Sequence, residues 1–160
     1  MSLIRFLMLL SLVVWVGGIS FFAFVLAPTV FHPGILPSRQ LAGAVVSRSL
    51  SGLHWIGIVC GVVFLVTSVI DSQVVNGVPA LFSGRNLLVC AMILLTLFSM
   101  FAISTRMLDL RNQMVFIDDV PHDDARRVEF NRLHVWSTRL ESTVLLLGLA
   151  VIFLTARRLS

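Results

Sequence analysis

Two histidines and one glutamate stand where the chain is otherwise apolar. Counting from His134, residues Thr138, Glu141, Leu145 and Gly148 follow at offsets of 4, 7, 11 and 14, which is one narrow face of an α-helix. The same offsets from His54 give Ile58, Gly61, Leu65 and Ser68. If both faces look into a bundle, His54 and His134 stand at similar depth on opposing helices. Together with Thr138 and Glu141 they then form one polar bundle site. Two imidazoles so placed suit a haem iron or a divalent metal. The plainer reading makes each an interfacial side chain beside Trp55 and Trp136 in an aromatic belt.

Glu141 is the sharper oddity. An ionisable group inside a span is costly, faces the bundle interior and takes a partner. It reads as a proton or cation site, or else as a structural pair near the headgroups. His134 shares its helical face two turns away, Arg139 points to nearly the opposite side, and Arg48 or Arg106 could reach it from another helix. Met100, Met107 and Met114 recur every seven residues. Thioethers suit Cu(I), but flexible core packing explains them more simply. The chain has no HExxH or CxxC motif, nucleophile elbow, phosphate loop or dinucleotide fingerprint. No catalytic residue is assigned, and the reading leans away from an enzyme.

The elements that must position these residues follow from composition. The chain has 160 residues, 58% of them hydrophobic and 12% charged, with a mean hydropathy of +0.98. A soluble domain carries about 25% charged residues. Disorder, a disulfide-stapled secreted domain and an ordinary soluble enzyme are thereby excluded, leaving a polytopic membrane protein. Cys60 and Cys90 fall inside apolar runs and act as small hydrophobes. The net charge of +4 comes from twelve arginines and no lysine. These arginines flank apolar runs, so they answer to anionic headgroups and not to nucleic acid. The partner expected is the lipid bilayer, with a homo-oligomer or another membrane protein as a further partner.

Charge-free runs place four helical spans in a single membrane domain over residues 1–160. Their approximate limits are 3–26, 52–70, 85–105 and 136–156, close to the roughly 20 residues a bilayer core needs. The first run is longer than a signal-peptide core and lacks a clean cleavage site, so a retained helix is expected. Pro28 and Pro33-Gly34 are expected to end it, and Asn76-Gly77 with Pro79 to form the second turn. Pro37-Ser38 can start an amphipathic stretch leading into the second span. Asp123-Asp124 can cap a helix leading into the fourth, and the third runs on as Arg106–Met114. The fold class is therefore an all-α integral membrane, antiparallel four-helix bundle with helical extensions on one side. Gly17, Gly18, Gly57, Gly61 and Gly148 are the expected helix-contact glycines.

Eleven of the twenty charged residues lie between Arg106 and Arg132. Seven arginines flank loops one and three, against four on the opposite side. That balance favours these loops in the cytoplasm, so an integral protein of the inner (cytoplasmic) membrane is expected. Residues i and i+80 match at Arg5 and Arg85, Phe21 and Phe101, and Leu53-His54 and Leu133-His134. A duplicated hairpin would put a ligand site between the halves.

The stretch Trp15-Val-Gly-Gly-Ile-Ser-Phe-Phe-Ala-Phe-Val-Leu-Ala-Pro28 resembles the first-helix signature of the bacterial domain-of-unknown-function 4149 family, related to the eukaryotic transmembrane-protein-205 type. Gln40-Leu-Ala-Gly43, Arg106-Met-Leu-Asp-Leu-Arg111 and Phe130-Asn-Arg-Leu-His134 with Ser137 resemble it too. The resemblance covers nearly the whole chain and implies a four-helix membrane protein without an assigned bacterial activity. The eukaryotic relatives are associated with resistance to a platinum drug, which hints at export of metal-containing solutes. The first-helix pattern is also similar to that of copper-resistance membrane domains. The layout is similar to small membrane haem proteins of the protoporphyrinogen-oxidase type, but no histidine lies in the first helix here.

Three roles are open on these residues. The first is non-enzymatic handling or export of a small solute or metal ion through the polar face. The second is a haem-binding redox protein using His54 and His134. The third is an assembly or scaffold factor whose charged face docks a partner.

Overall fold

A bilayer offers the backbone no hydrogen-bond partners, so each apolar run closes its bonds within itself as a helix. A computed structural model describes residues 2–79, 81–114 and 120–159 and shows four such helices. They are α1 (Ser2–Val30), α2 (Arg39–Asn76), α3 (Gly84–Gln113) and α4 (Ala125–Leu159). All four are long and apolar enough to cross a membrane, and no strand occurs among the described residues. Asp118 and Asp119 of the charged connection lie outside the described residues, as does the side chain of Arg158.

The helix ends follow local chemistry. The Ser38 hydroxyl accepts the Leu41 backbone N–H at 3.2 Å and caps α2. Gly77 ends α2 with φ +72°, a conformation that favours glycine, and its N–H donates to the Gln73 carbonyl at 3.0 Å. Asp124 caps α4 by accepting the Arg126 backbone N–H at 2.8 Å. Helix α1 does not stop at Pro28. A wider π-helical turn over Phe22–Leu26, in which the Ala27 N–H donates to the Phe22 carbonyl, lets the helix carry the proline on to Val30. Helix α3 has a similar turn at Ser99–Ser104.

Each helix packs on its neighbours in sequence, and α1 also meets α4, so the four close into a ring with α2 and α4 on a diagonal. The buried stripe on α2 runs His54, Gly57, Gly61, Phe64, Ser68 and Asp71. On α4 the buried positions Ser137, Val144, Gly148, Val151 and Thr155 repeat the same alternation of threes and fours, with Glu141 in register. This is the spacing of nearly antiparallel helices whose ridges interlock. Bulky apolar side chains such as Phe24, Val59, Leu94 and Leu146 cover the outside and face the lipid.

Four of the five expected contact glycines admit a neighbour. A Cβ on Gly57 would lie 2.3 Å from the Trp15 indole nitrogen, and one on Gly61 2.8 Å from the same ring. Gly18 faces Leu53, and Gly148 faces Val16. Gly17 departs from the expectation. It sits about 100° around α1 from Gly18, points outward and has nothing within 4 Å.

At the end of the bundle away from the long connections, polar side chains tie the helices together. Arg5 donates from Nε to Asp71 Oδ1 at 3.0 Å, joining α1 to α2. Ser68 donates to Asn86 Oδ1 at 2.7 Å, joining α2 to α3. At the opposite end the Arg106 guanidinium holds both Glu129 oxygens, at 2.9 and 3.1 Å, and links the extensions of α3 and α4.

Two outcomes follow. Gly57→Ala forces the Trp15 indole aside and lowers stability in detergent by about 1–3 kcal/mol, whereas Gly17→Ala leaves the thermal midpoint unchanged or slightly raised. The Arg126 side chain first, then its backbone N–H, hold the Asp124 carboxyl down to about 2 from an ordinary 3.8. The cap is therefore intact above pH 3.8 and is lost as pH falls toward 2. The difference in thermal midpoint between wild type and Asp124→Ala should shrink across that window.

Candidate functional site

His54 and Glu141 meet across the diagonal of the bundle. His54 Nε2 and Glu141 Oε1 lie 2.6 Å apart, with the histidine 2% and the glutamate 14% exposed. Helix α2 carries the imidazole inward because Gly57, one turn on, lets the Trp15 ring pack beneath it. Helix α4 carries the carboxylate inward on the stripe of Ser137 and Val144. A short hydrogen bond joins the two groups where little solvent reaches them. His54 Nδ1 is also buried and has no hydrogen-bond partner among the described residues. The pair thus has one open nitrogen able to accept or donate.

The other two residues of the expected site lie elsewhere. His134 is exposed and belongs to the wall of a vestibule above the pair. It sits seven residues before Glu141, about 10 Å further along α4 at 1.5 Å per residue. His54 and His134 therefore do not form a two-imidazole site, and the matching histidines of the i to i+80 repeat take different depths. Thr138 is exposed and donates only to the His134 carbonyl, at 3.0 Å, while Ser137 takes the inward place. The inward stripe of α4 is rotated by a residue from the narrow face counted from His134, and Glu141 and Gly148 lie on both. Arg106, a possible partner of Glu141 by sequence, is engaged by Glu129 instead. No three His, Cys, Asp or Glu side chains converge in a metal-holding group among the described residues.

The vestibule has a volume of about 470 Å³ and lies among the loop-side ends of α2, α3 and α4. Its floor reaches Leu50, one turn before His54, and Ser137, one turn before Glu141. Arg39, Arg111 and Arg127 line it with His134, Gln40 and Asn131, and no carboxylate lines it among the described residues. The sequence pointed to polar faces on single helices. It did not point to this chamber, which takes residues from the first connection and three helices. Gln40 and Gly43, Met107 to Arg111, and Phe130 to Ser137 all contribute to its walls. Asp71 stands at the end of the second span, a position the charge-free runs leave without a role. It is 4% exposed and paired with Arg5, a contact available from the antiparallel order of α1 and α2.

The family model described as domain of unknown function (DUF4149) matches residues 10–115, about two thirds of the chain. That stretch holds α1 to α3, with His54, Gln40, Gly43 and Arg111, while His134 and Glu141 lie beyond it. No curated protein and no solved structure matches the chain.

Replacing Glu141 with leucine leaves His54 buried with both nitrogens unpartnered, and should cost about 1–3 kcal/mol in thermal or denaturant unfolding in detergent. Glu141→Gln, which keeps a hydrogen-bonding oxygen or nitrogen at the same place, should cost clearly less. Equal losses in the two variants would show that the contact contributes nothing to the fold.

Proposed function

Because the chain belongs to the DUF4149 family, whose description assigns no activity, we propose from its geometry that it is a non-enzymatic membrane protein handling a small solute. The solute enters the vestibule on the side of loops one and three, and the His54–Glu141 pair beneath exchanges a proton with it. The observation that carries this reading is the 2.6 Å contact between two ionisable side chains inside the bundle, one turn below an open chamber. Ionisable groups at such depth are expensive and mark solute or proton paths. The unpartnered His54 Nδ1 supplies the second point through which a proton can arrive or leave.

The charge of the chamber narrows the solute. Three arginines, with no carboxylate lining the chamber among the described residues, repel a free metal cation and draw in anionic solutes. A two-histidine haem site has no support in the separation of His54 from His134 along the bundle. The arginine balance supports a reading in which loops one and three face the cytoplasm, and the family's bacterial membership accords with an inner-membrane setting.

The test uses proteoliposomes loaded with a pH-sensitive dye and challenged with a panel of small carboxylates, phosphate esters and divalent metal chlorides. At least one carboxylate or phosphate ester should move protons in wild type, at a rate cut by about tenfold or more in Glu141→Gln. If every solute gives the rate of empty liposomes, or if the variant matches wild type, the reading fails.

A further inference from the structure

The geometry points to the vestibule as a binding site for the phosphate head of an anionic lipid, with Arg111 as its principal ligand. The bilayer lipid is the occupant inferred, and its seat does not depend on what the buried pair below does.

Four observations carry this. First, Arg39, Arg111 and Arg127 line one cavity, and no carboxylate lines it among the described residues, although Asp109, Asp124 and Glu129 lie nearby in sequence. Arg127 also donates to the Val120 carbonyl. Glu129 and Asp124 are taken by Arg106 and Arg126, outside the lining. Second, two buried polar atoms in the wall have no partner among the described residues, namely Arg111 Nε and Gln40 Oε1. Buried polar atoms are satisfied in the great majority of structures, so an orphaned guanidinium nitrogen and an orphaned amide oxygen lining the same cavity ask for a ligand. A phosphate accepts from the planar guanidinium fork, and the Gln40 amide turns to donate to it or bonds a phosphate hydroxyl.

Third, the backbone makes room for the fork. A Cβ on Gly43 would lie 2.8 Å from Arg111 Nη2, so in this arrangement the guanidinium rests against the bare backbone of α2. The far side of the group faces the Phe130 ring, with 6.0 Å from Cζ to the centroid. Among the described residues Arg111 thus lies against a glycine and an aromatic ring and is paired with no acid, which leaves its charge for a guest.

Fourth, the chamber is two-sided. Phe31, Val46, Leu50, Met107 and Leu108 give it an apolar half beside the cationic one. Its volume of about 470 Å³ falls within the 300–1,000 Å³ usual for ligand sites. It opens where the apolar runs of α2 to α4 give way to charged extensions, which is the level of the lipid phosphates. An inorganic ion would leave the apolar half unused, whereas an acyl chain fills it.

The test is retention of lipid. Full-length protein is reconstituted in phosphatidylcholine vesicles doped with phosphatidylglycerol, extracted in a neutral detergent and weighed by native mass spectrometry. Wild type should keep a bound phosphatidylglycerol. Arg111→Gln should lower its occupancy by about tenfold or more, as the loss of a charge-assisted bond predicts. Arg48→Gln, an exposed arginine on the same side that does not line the chamber, should stay near wild type. Equal loss in Arg48→Gln, or full retention in Arg111→Gln, overturns the site. Inorganic phosphate binding to delipidated protein with the same Arg111 dependence, but no lipid retention, assigns the chamber to a soluble oxyanion and overturns the lipid. If Arg111→Gln fails to fold by circular dichroism, Arg111→Lys decides. It keeps the cation but loses the fork, and reduced phosphatidylglycerol retention supports the site while unchanged retention overturns it.

Discussion

The structure turns on one constraint. An imidazole and a carboxylate buried between apolar helices must satisfy each other, because nothing else at that depth can. His54 and Glu141 do so at 2.6 Å, and they do so across the diagonal of the ring. Helices α2 and α4 are not close neighbours by backbone, so the two side chains span the middle of the bundle. The glycines that let Trp15 lie against α2, and the small residues on α4, serve this central contact as much as they serve packing. An all-apolar pair of the same size would fill the space without the desolvation cost, as replacement of buried ion pairs in other proteins indicates. The polar choice at the centre therefore points to use.

The two ends of the molecule are built differently. One end is tied shut by Arg5 with Asp71 and by Ser68 with Asn86, contacts that link α1 to α2 and α2 to α3. At the other end the extended helices surround a chamber whose walls are mostly apolar and carry three arginines. The link between Arg106 and Glu129 braces this end from outside, while leaving Arg111 to face inward. A central ionisable pair, a sealed end and an open, charged end together give the chain a direction. Such asymmetry suits a protein that receives something from one side more than it suits a passive spacer.

Much of the fold was legible in the sequence, because lipid imposes simple rules. Charge-free runs located the four helices, and Ser38, Gly77 and Asp124 marked ends that the structure keeps. Pro28 misled, since a π-helical turn just before it absorbs the missing N–H. The site was legible only in part. His54 and Glu141 stand out as ionisable residues in apolar runs, but their partnership crosses between non-neighbouring helices, and offsets along one helix cannot report it. His134 looked equivalent to His54 because both follow a leucine at matching repeat positions. Yet α4 begins its inward stripe at Ser137 and brings Glu141, one turn further on, to the centre. The vestibule was invisible for a related reason. Its residues become a cavity only once three helices and a connection converge, although the segments that build it are those that carry the family resemblance.

The claim beneath the whole account is that His54 and Glu141 share a hydrogen bond in the bilayer-embedded protein. Solid-state NMR on protein in lipid bilayers, with His54 labelled in its ring nitrogens and Glu141 in its carboxyl carbon, measures this directly. The account predicts a strong through-space correlation from the Glu141 carboxyl carbon to His54 Nε2 and a weaker one to Nδ1. A carboxyl carbon with no contact to the ring, beside a His54 ring in free exchange with water, would contradict it.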